Sequence, residues 1–402
     1  MFNNTTNDLS AAMGPSDPLE RERGIQIYAK LEESLMLQKP EFFWRDHVGW
    51  LEAHGYKLRP RYQPGWRPNI PVFGFFPFRD ENYVAMSRAV VVDATRMTDG
   101  KRVMLKRVYK SLHPFEVEIT KLFGTEPLLS DPHNYCVRLL DIIYPPDEPD
   151  VTILVFPFLQ QPEALPFDTF GEIVDFIKQT LYGLQFIHHH HVAHRDIGIA
   201  NIMMDGDQMF PGGWNHFAGN ITPQGERHTT LFTRTQRPPK YYIIDFGLSR
   251  QYDPSDTNPL ERPILGGDKT VPEFQTDNEA FNPFQTDIYY MGNMIRRYIM
   301  EGEGLSSTGH FGTGFLRPLV KDMVQDDPEK RPTIDEVMAR FEKICEKLSV
   351  SKLRSRPIRR KGNLFKGLRN YIEHRRRRKD YVKRGVPPIP SPQSELTIGA
   401  LP

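Results

Sequence analysis

The chain has 402 residues, 39% of them hydrophobic and 26% charged, which is ordinary for a soluble globular protein and is enough chain for two or three average domains. No stretch approaches 18 uninterrupted apolar residues, the start MFNNTTNDLSAAMG has no basic patch ahead of an apolar run, and Cys136 and Cys345 are far apart; the sequence supports neither a membrane span nor a secretory signal nor a disulfide framework, and the expectation is an intracellular protein, cytoplasmic or nuclear. The net charge of +1 hides an asymmetry: residues 352–384 carry fifteen Lys/Arg against Glu373 and Asp380, a local +13, which leaves the first 351 residues at −11 once Glu395 is counted.

In chain order, residues 1–35 are polar and expected to lack fixed structure. A leader, 36–80, follows. In its EFFWRDHVGWLEAHG, Trp44, Val48 and Leu51 recur at i, i+4 and i+7 and predict one apolar helix face ending at Gly55. The prolines at 60, 64, 68 and 71 then block helix and central strand, and predict an extended strap packed on the rest of the protein. Over 81–160 the runs VAMSRAVVVDA, RVMLKRV after the Asp99-Gly100 turn, and VTILVFPF after YPPDEPD read as strands around one helix, HPFEVEITKLF. Helical patterns dominate 161–350, interrupted by 206–240, a stretch rich in Gly, Pro and Thr without periodicity that predicts a surface loop. In the tail, 351–402, Leu364, Leu368 and Ile372 predict the apolar seam of a short basic helix. The run RRRRK at 375–379 reads as a signal for a nuclear import receptor or a patch for an anionic partner within 352–384, against the plainer reading of a solvated tail.

The most informative strings are HRDIGIAN, His194 to Asn201, and IIDFG, ending at Gly247. Asp196 stands where a base takes a proton from a hydroxyl; Asn201, five residues on, and Asp245 offer oxygen ligands to the Mg2+ of a nucleotide. In this set the chain resembles the eukaryotic protein kinases, and its aromatic, Pro-rich leader resembles that of a fungal family of protein-kinase-like proteins. The resemblance implies an α+β, two-lobed protein-kinase-like fold, with a small β-rich lobe carrying one helix over 81–160 and a large helical lobe over 161–350. It implies ATP and Mg2+ as cofactors and a protein substrate, with serine or threonine the favoured acceptor and tyrosine left open.

The resemblance also assigns roles. Lys106, ending VMLK, holds the α and β phosphates and pairs with a helix glutamate, Glu116 or Glu118; Glu116, with Ile119 and Phe123 at i+3 and i+7 to turn its face inward, is favoured. Val91 and Phe156 belong to the adenine pocket, and Phe158 and Leu159 offer backbone groups to the base edge. Val271, Pro272 and Glu273 close the activation segment, with Glu273 pairing with Arg331, while Asp287 and Gly292 belong to the helix that supports the catalytic loop. Arg195 resembles the arginine that grips a phosphate on that segment, for which Ser249, Tyr252, Ser255, Thr257 and Thr270 are the candidate acceptors; the alternative is that these hydroxyls only cap turns. The histidines 188–191, adjacent on a helix, point in different directions and cannot share one metal ion.

Two departures qualify the resemblance. Val84, Met86 and Ala89 stand where glycines should cover the phosphates, and Gly198 and Ala200 stand where a cation should touch the transferring phosphate. Losing one preorganised contact of that kind costs about 10²- to 10³-fold, against the 10⁶-fold or more that enzymes supply, so reduced turnover can survive it. The expectation is a protein kinase of reduced turnover, with a pseudokinase that binds nucleotide or partners as the alternative.

Overall fold

The computed structural model describes residues 18–68, 81–83, 90–216, 221–223, 225–228, 230–262, 267–275, 279–302, 309–361 and 364–392. Their contacts separate into two units, the first running to Arg107 and including Pro145–Asp147 and Gly213–His228, the second holding the rest. Among the described residues no helix is long and apolar enough to cross a membrane.

The first unit opens with α1 (Pro18–Leu35), in a region expected to lack structure. The leader helix forms in two pieces, α2 (Phe42–Asp46) and α3 (Val48–Ala53), separated at His47, whose ring bonds the Phe43 carbonyl at 2.8 Å. The anticipated face of Trp44, Val48 and Leu51 is buried. What fixes the leader is a buried ion pair. Arg61 donates to both Glu41 oxygens at 2.9 and 2.8 Å, and also reaches the Leu35 and Met36 carbonyls at the end of α1, at 2.6 and 3.2 Å. Burial pushes the Glu41 carboxyl up, but the bonds from Arg61 and the Gln38 N–H outweigh it and hold the group below its ordinary value.

The strap contributes a strand, β1 (Tyr56–Leu58), which pairs antiparallel with β2 (Val91–Arg96), itself paired with β3 (Arg102–Tyr109). Gly100, at φ +70°, makes the tight β2–β3 turn, where the Arg96 N–H meets the Lys101 carbonyl at 2.8 Å. Asp93, buried in β2, collects Arg59 from the strap at 2.7 Å and Arg102 at 2.9 Å; Arg102 also reaches Glu81 at 3.0 Å and the Trp214 carbonyl at 3.1 Å. Trp214 and Asn215 are buried here, so this part of the 206–240 stretch is packed interior rather than the surface loop its composition predicts.

In the second unit, α4 (Glu116–Gly124) precedes an antiparallel pair, β4 (Asp141–Ile143) and β5 (Val151–Pro157). Val108, Leu139 and Leu154 form a buried cluster with Val117, Ile142 and Phe156 packed against it. The centre is α5 (Phe170–His189), capped by Thr169, whose hydroxyl accepts the Glu172 N–H at 3.1 Å; apolar side chains all around it are buried, as for a helix inside a core. Short strands β6 (Val192–Ala193), β7 (Ile202–Met204), β8 (Tyr241–Ile243) and β9 (Arg250–Gln251) pair as β6–β9 and β7–β8. Then come α6 (Pro283–Met294), begun by an Asn282 cap and Pro283, β10 (His310–Phe311), α7 (Arg317–Met323) and α8 (Ile334–Glu346), the last begun by a Thr333–Glu336 capping box. Gly292 lets α6 and α7 touch, since a Cβ there would lie 2.6 Å from that of Met323.

The tail folds onto this unit. After α9 (Val350–Leu353), β11 (Ile358–Arg359) pairs with β10, and α10 (Leu364–Lys383) docks on Asp168, just ahead of α5. Of the expected seam, the Leu364 and Leu368 side chains lie outside the described residues and Ile372 is 49% exposed; the docking contacts come from His374 and Tyr381, which are buried, and from Arg377, which holds both Asp168 oxygens at 2.6 and 3.0 Å. Within RRRRK, Arg377 is turned inward while Arg375, Arg376, Arg378 and Lys379 stay exposed.

Candidate active site

In the first unit, Val91 and Lys106 are partners across β2 and β3, both half-buried beside the buried Leu105. The positions Val84, Met86 and Ala89 lie outside the described residues. Every other candidate belongs to the second unit.

There the catalytic loop is hung from α6. Asp287, fully buried, accepts the backbone N–H groups of His194 and Arg195 at 2.7 Å each and the His188 ring at 3.0 Å. Arg195 sits at φ +66°, a conformation non-glycine residues hold only when their surroundings impose it. Asn201 then donates its amide nitrogen to the Asp196 carbonyl at 2.8 Å and carboxylate at 2.9 Å. The β7–β8 register sets Ile202 opposite Ile243, and the Ile244 N–H donates to the Asn201 carbonyl at 3.0 Å. Forty-four positions of sequence are thus closed by one hairpin, which brings Asn201 alongside the residue preceding Asp245.

Asp245 also lies in the left-handed region, at φ +67°, and its Oδ1 accepts the Gly247 N–H at 3.3 Å. Phe246 points into the core, its ring 5.6 Å from Phe123 of α4 and 5.5 Å from His194. Glu116 is buried at the start of α4, whereas Glu118 is exposed and pairs with Lys121 at 3.0 Å; burial therefore separates the two glutamates that spacing left open. A Cβ on Gly247 would lie 3.1 Å from both Glu116 Oε2 and Asp245 Oδ1 and 3.3 Å from His113 Nδ1. The Asn201 amide oxygen and the Asp245 carboxylate are the hard oxygen donors that Mg2+ takes, so by chemistry this donor pair fits the ion. Among the described residues no group of three or more His, Cys, Asp or Glu side chains is gathered closely enough to hold an ion unaided.

Phe156 packs against the Val108–Leu139–Leu154 cluster, and Phe158 and Leu159 are buried at the end of β5. Glu273 and Arg331 form a bidentate buried pair at 2.6 and 2.6 Å. The histidine tract disperses as helix geometry requires: His188 bonds Asp287, His189 bonds Asp335 at 2.8 Å, and His190 bonds the Phe186 carbonyl at 2.8 Å. Gly198 is extended, at φ −172°, with no atom within 4 Å of where its Cβ would stand.

Sequence reasoning missed three features. One is the Asn201 amide that clamps Asp196. Another is the His113 ring bonded to the Gly247 carbonyl at 2.7 Å. The third is Glu261, whose carboxylate lies 3.4 Å from both Arg195 and Arg250. A lone glutamate in a loop carries no pattern, and only the fold supplies its partners. Residues 87–341, more than half of the chain, match the family model described as the protein kinase domain. The chain belongs to the protein kinase superfamily and has its α+β fold.

Proposed function

We propose that the protein is an active kinase that transfers the γ-phosphoryl group of ATP to a protein hydroxyl, with serine or threonine as acceptor. The observation that supports this reading is the Asp196–Asn201–Ile244 chain of hydrogen bonds, which sets Asn201 against Asp196 and beside the residue that precedes Asp245. Bound Mg2+ would supply positive charge to the phosphate oxygens, held by Asn201 and Asp245. Asp196 orients the acceptor hydroxyl and takes its proton as the new O–P bond forms and the bond from the γ-phosphorus to the bridging oxygen of the departing ADP breaks. Asn201 keeps the Asp196 carboxylate in place by its 2.9 Å bond, so little reorganisation is needed at that step. Lys106 would hold the α and β phosphates and, as in the kinases the chain resembles, Glu116 would be the glutamate assigned to pair with it.

The competing reading, nucleotide binding without transfer, draws on the open space beside Gly198. Incubation with γ-labelled ATP, Mg2+ and a generic basic protein separates the two. Label transferred by the native protein and lost in Asp196→Asn, with the label on phosphoserine or phosphothreonine, supports the enzyme. A thermal shift with Mg-ATP but no label at any enzyme concentration rejects it in favour of the binding protein.

A further inference from the structure

The Arg195 side chain is only 9% exposed and directly precedes Asp196 in the chain, so its charge requires an anionic partner inside the fold. Glu261 supplies it. One carboxylate oxygen lies 3.4 Å from Arg195 Nη2, and the other lies 3.4 Å from Arg250 Nε. Arg195 completes its bonding on main-chain oxygens, those of Leu248 at 3.3 Å and Arg262 at 3.4 Å. Arg250 lies in β9 opposite Ala193, the residue before His194, and its guanidinium stacks 4.9 Å from the ring of Phe115, which immediately precedes α4. One carboxylate therefore ties the catalytic loop to the strand beside it and to the approach to Glu116.

Glu261 is itself fixed. Its backbone exchanges two hydrogen bonds with Phe281, both 2.9 Å, and Phe281 is next to the Asn282 cap of α6, the helix that carries Asp287. Gly267, at φ +79°, passes where any side chain would strike the Tyr290 hydroxyl, with the Arg195 carbonyl also within 3.4 Å. Three of the five hydroxyls that sequence nominates for modification have other partners: Ser249 is buried on the His194 carbonyl at 3.0 Å, and Ser255 and Thr270 bond Asp253 at 2.6 Å and Asp268 at 2.8 Å; the Tyr252 hydroxyl is buried and Thr257 is exposed.

We infer that Glu261 is a positioning residue for Asp196: its carboxylate occupies the anion place between Arg195 and Arg250, so the catalytic loop is held without phosphorylation of this segment. A carboxylate carries less charge and fewer acceptor oxygens than a phosphate, but it is permanent. The inference rests on the proposed phosphoryl transfer, and its test separates the two.

Protein treated with phosphatase, confirmed unmodified by mass spectrometry, is compared with Glu261→Gln and Glu261→Asp. The native protein is expected to keep its rate after treatment. Glu261→Gln should lose on the order of tenfold in kcat with KM for ATP nearly unchanged, and Glu261→Asp should recover part of the loss. A native rate abolished by phosphatase, or Glu261→Gln with native kcat, overturns the inference. Amide hydrogen exchange at residues 192–196 gives a readout that needs no turnover. If the native protein transfers no label, faster exchange there in Glu261→Gln supports the positioning role while the kinase reading fails. Unchanged exchange sinks both.

Discussion

Asp287 and Asp168 are both buried carboxylates that gather three or more donors, yet they are built for different ends. Asp287 takes two backbone N–H groups from adjacent residues of one loop, and so fixes the path of the chain beside Asp196. Asp168 takes side chains only, Arg377, His374 and Tyr381, all from α10, a helix more than two hundred residues away in sequence. A carboxylate bonded to main chain sets a conformation. One bonded to side chains fastens a segment whose own conformation is already set. The first should therefore govern chemistry and folding together, and the second attachment alone.

The largest effect should come from breaking the first. Asp287→Ala leaves the His194 and Arg195 N–H groups without their acceptor in a dry interior, at about 1–3 kcal/mol each, so a loss of about 3–5 kcal/mol in stability is expected. Phosphoryl transfer should fall by at least about a hundredfold in the fraction that still folds. Thermal unfolding and the labelled-transfer assay measure the two. Native stability in this variant would mean that the loop holds its path without α6, and the comparison would fail.

Breaking the second should cost less. Asp168→Ala frees Arg377, which at 29% side-chain exposure reaches water, so we expect about 2 kcal/mol, read as protease sensitivity within Leu364–Lys383 with kcat changed less than about twofold. A parallel collapse of kcat would show that the tail supports the site. The same contact predicts an acid transition. Burial pushes the Asp168 carboxyl up, but hydrogen bonds from His374 and Arg377 and their charges outweigh it and hold it at about 2, against an ordinary 3.8. A depressed carboxyl stabilises above its unfolded value and loses that contribution as pH falls through the folded one, so α10 should loosen between about pH 4 and pH 2. Asp168→Asn should flatten that transition in amide exchange of α10.

What sequence made legible follows the same division. Asp196, Asn201 and Asp245 stand out in the sequence as candidates because metal and proton chemistry admits few residue types, and the burial of Trp44, Val48 and Leu51 was readable because a buried helix face has a period. Neither signal reaches α10. Its docking face, His374, Arg377 and Tyr381, is polar, so apolar periodicity pointed to the side bearing the exposed Ile372. The 206–240 stretch buries Met209, Phe210, Trp214 and Arg234 without any repeat, because irregular chain packs each side chain for its own reason. In α1 the polarity of 18–35 concealed a helix whose end carbonyls are met by Arg61, a partner that nothing local announces. Pairing over long sequence distance is what composition and spacing do not encode.

Gly198 presents the opposite case, a place in the catalytic loop where a charge is missing rather than shared. Its extended backbone suits any residue, and its Cβ would meet nothing within 4 Å, so Gly198→Lys introduces a cation without the strain that a substitution at Arg195 or Asp245 would meet. If the transferring phosphate lacks a counter-charge there, kcat should rise by about tenfold, a fraction of what a fully preorganised contact supplies because this lysine would be held by nothing. The effect is the smallest of the set, about 1.4 kcal/mol, and it carries the opposite sign. A rate that stays level or falls, with ATP still bound in a thermal-shift measurement, would mean that turnover is limited elsewhere, and Val84, Met86 and Ala89, which stand where the resemblance expects glycines, would be the next to change.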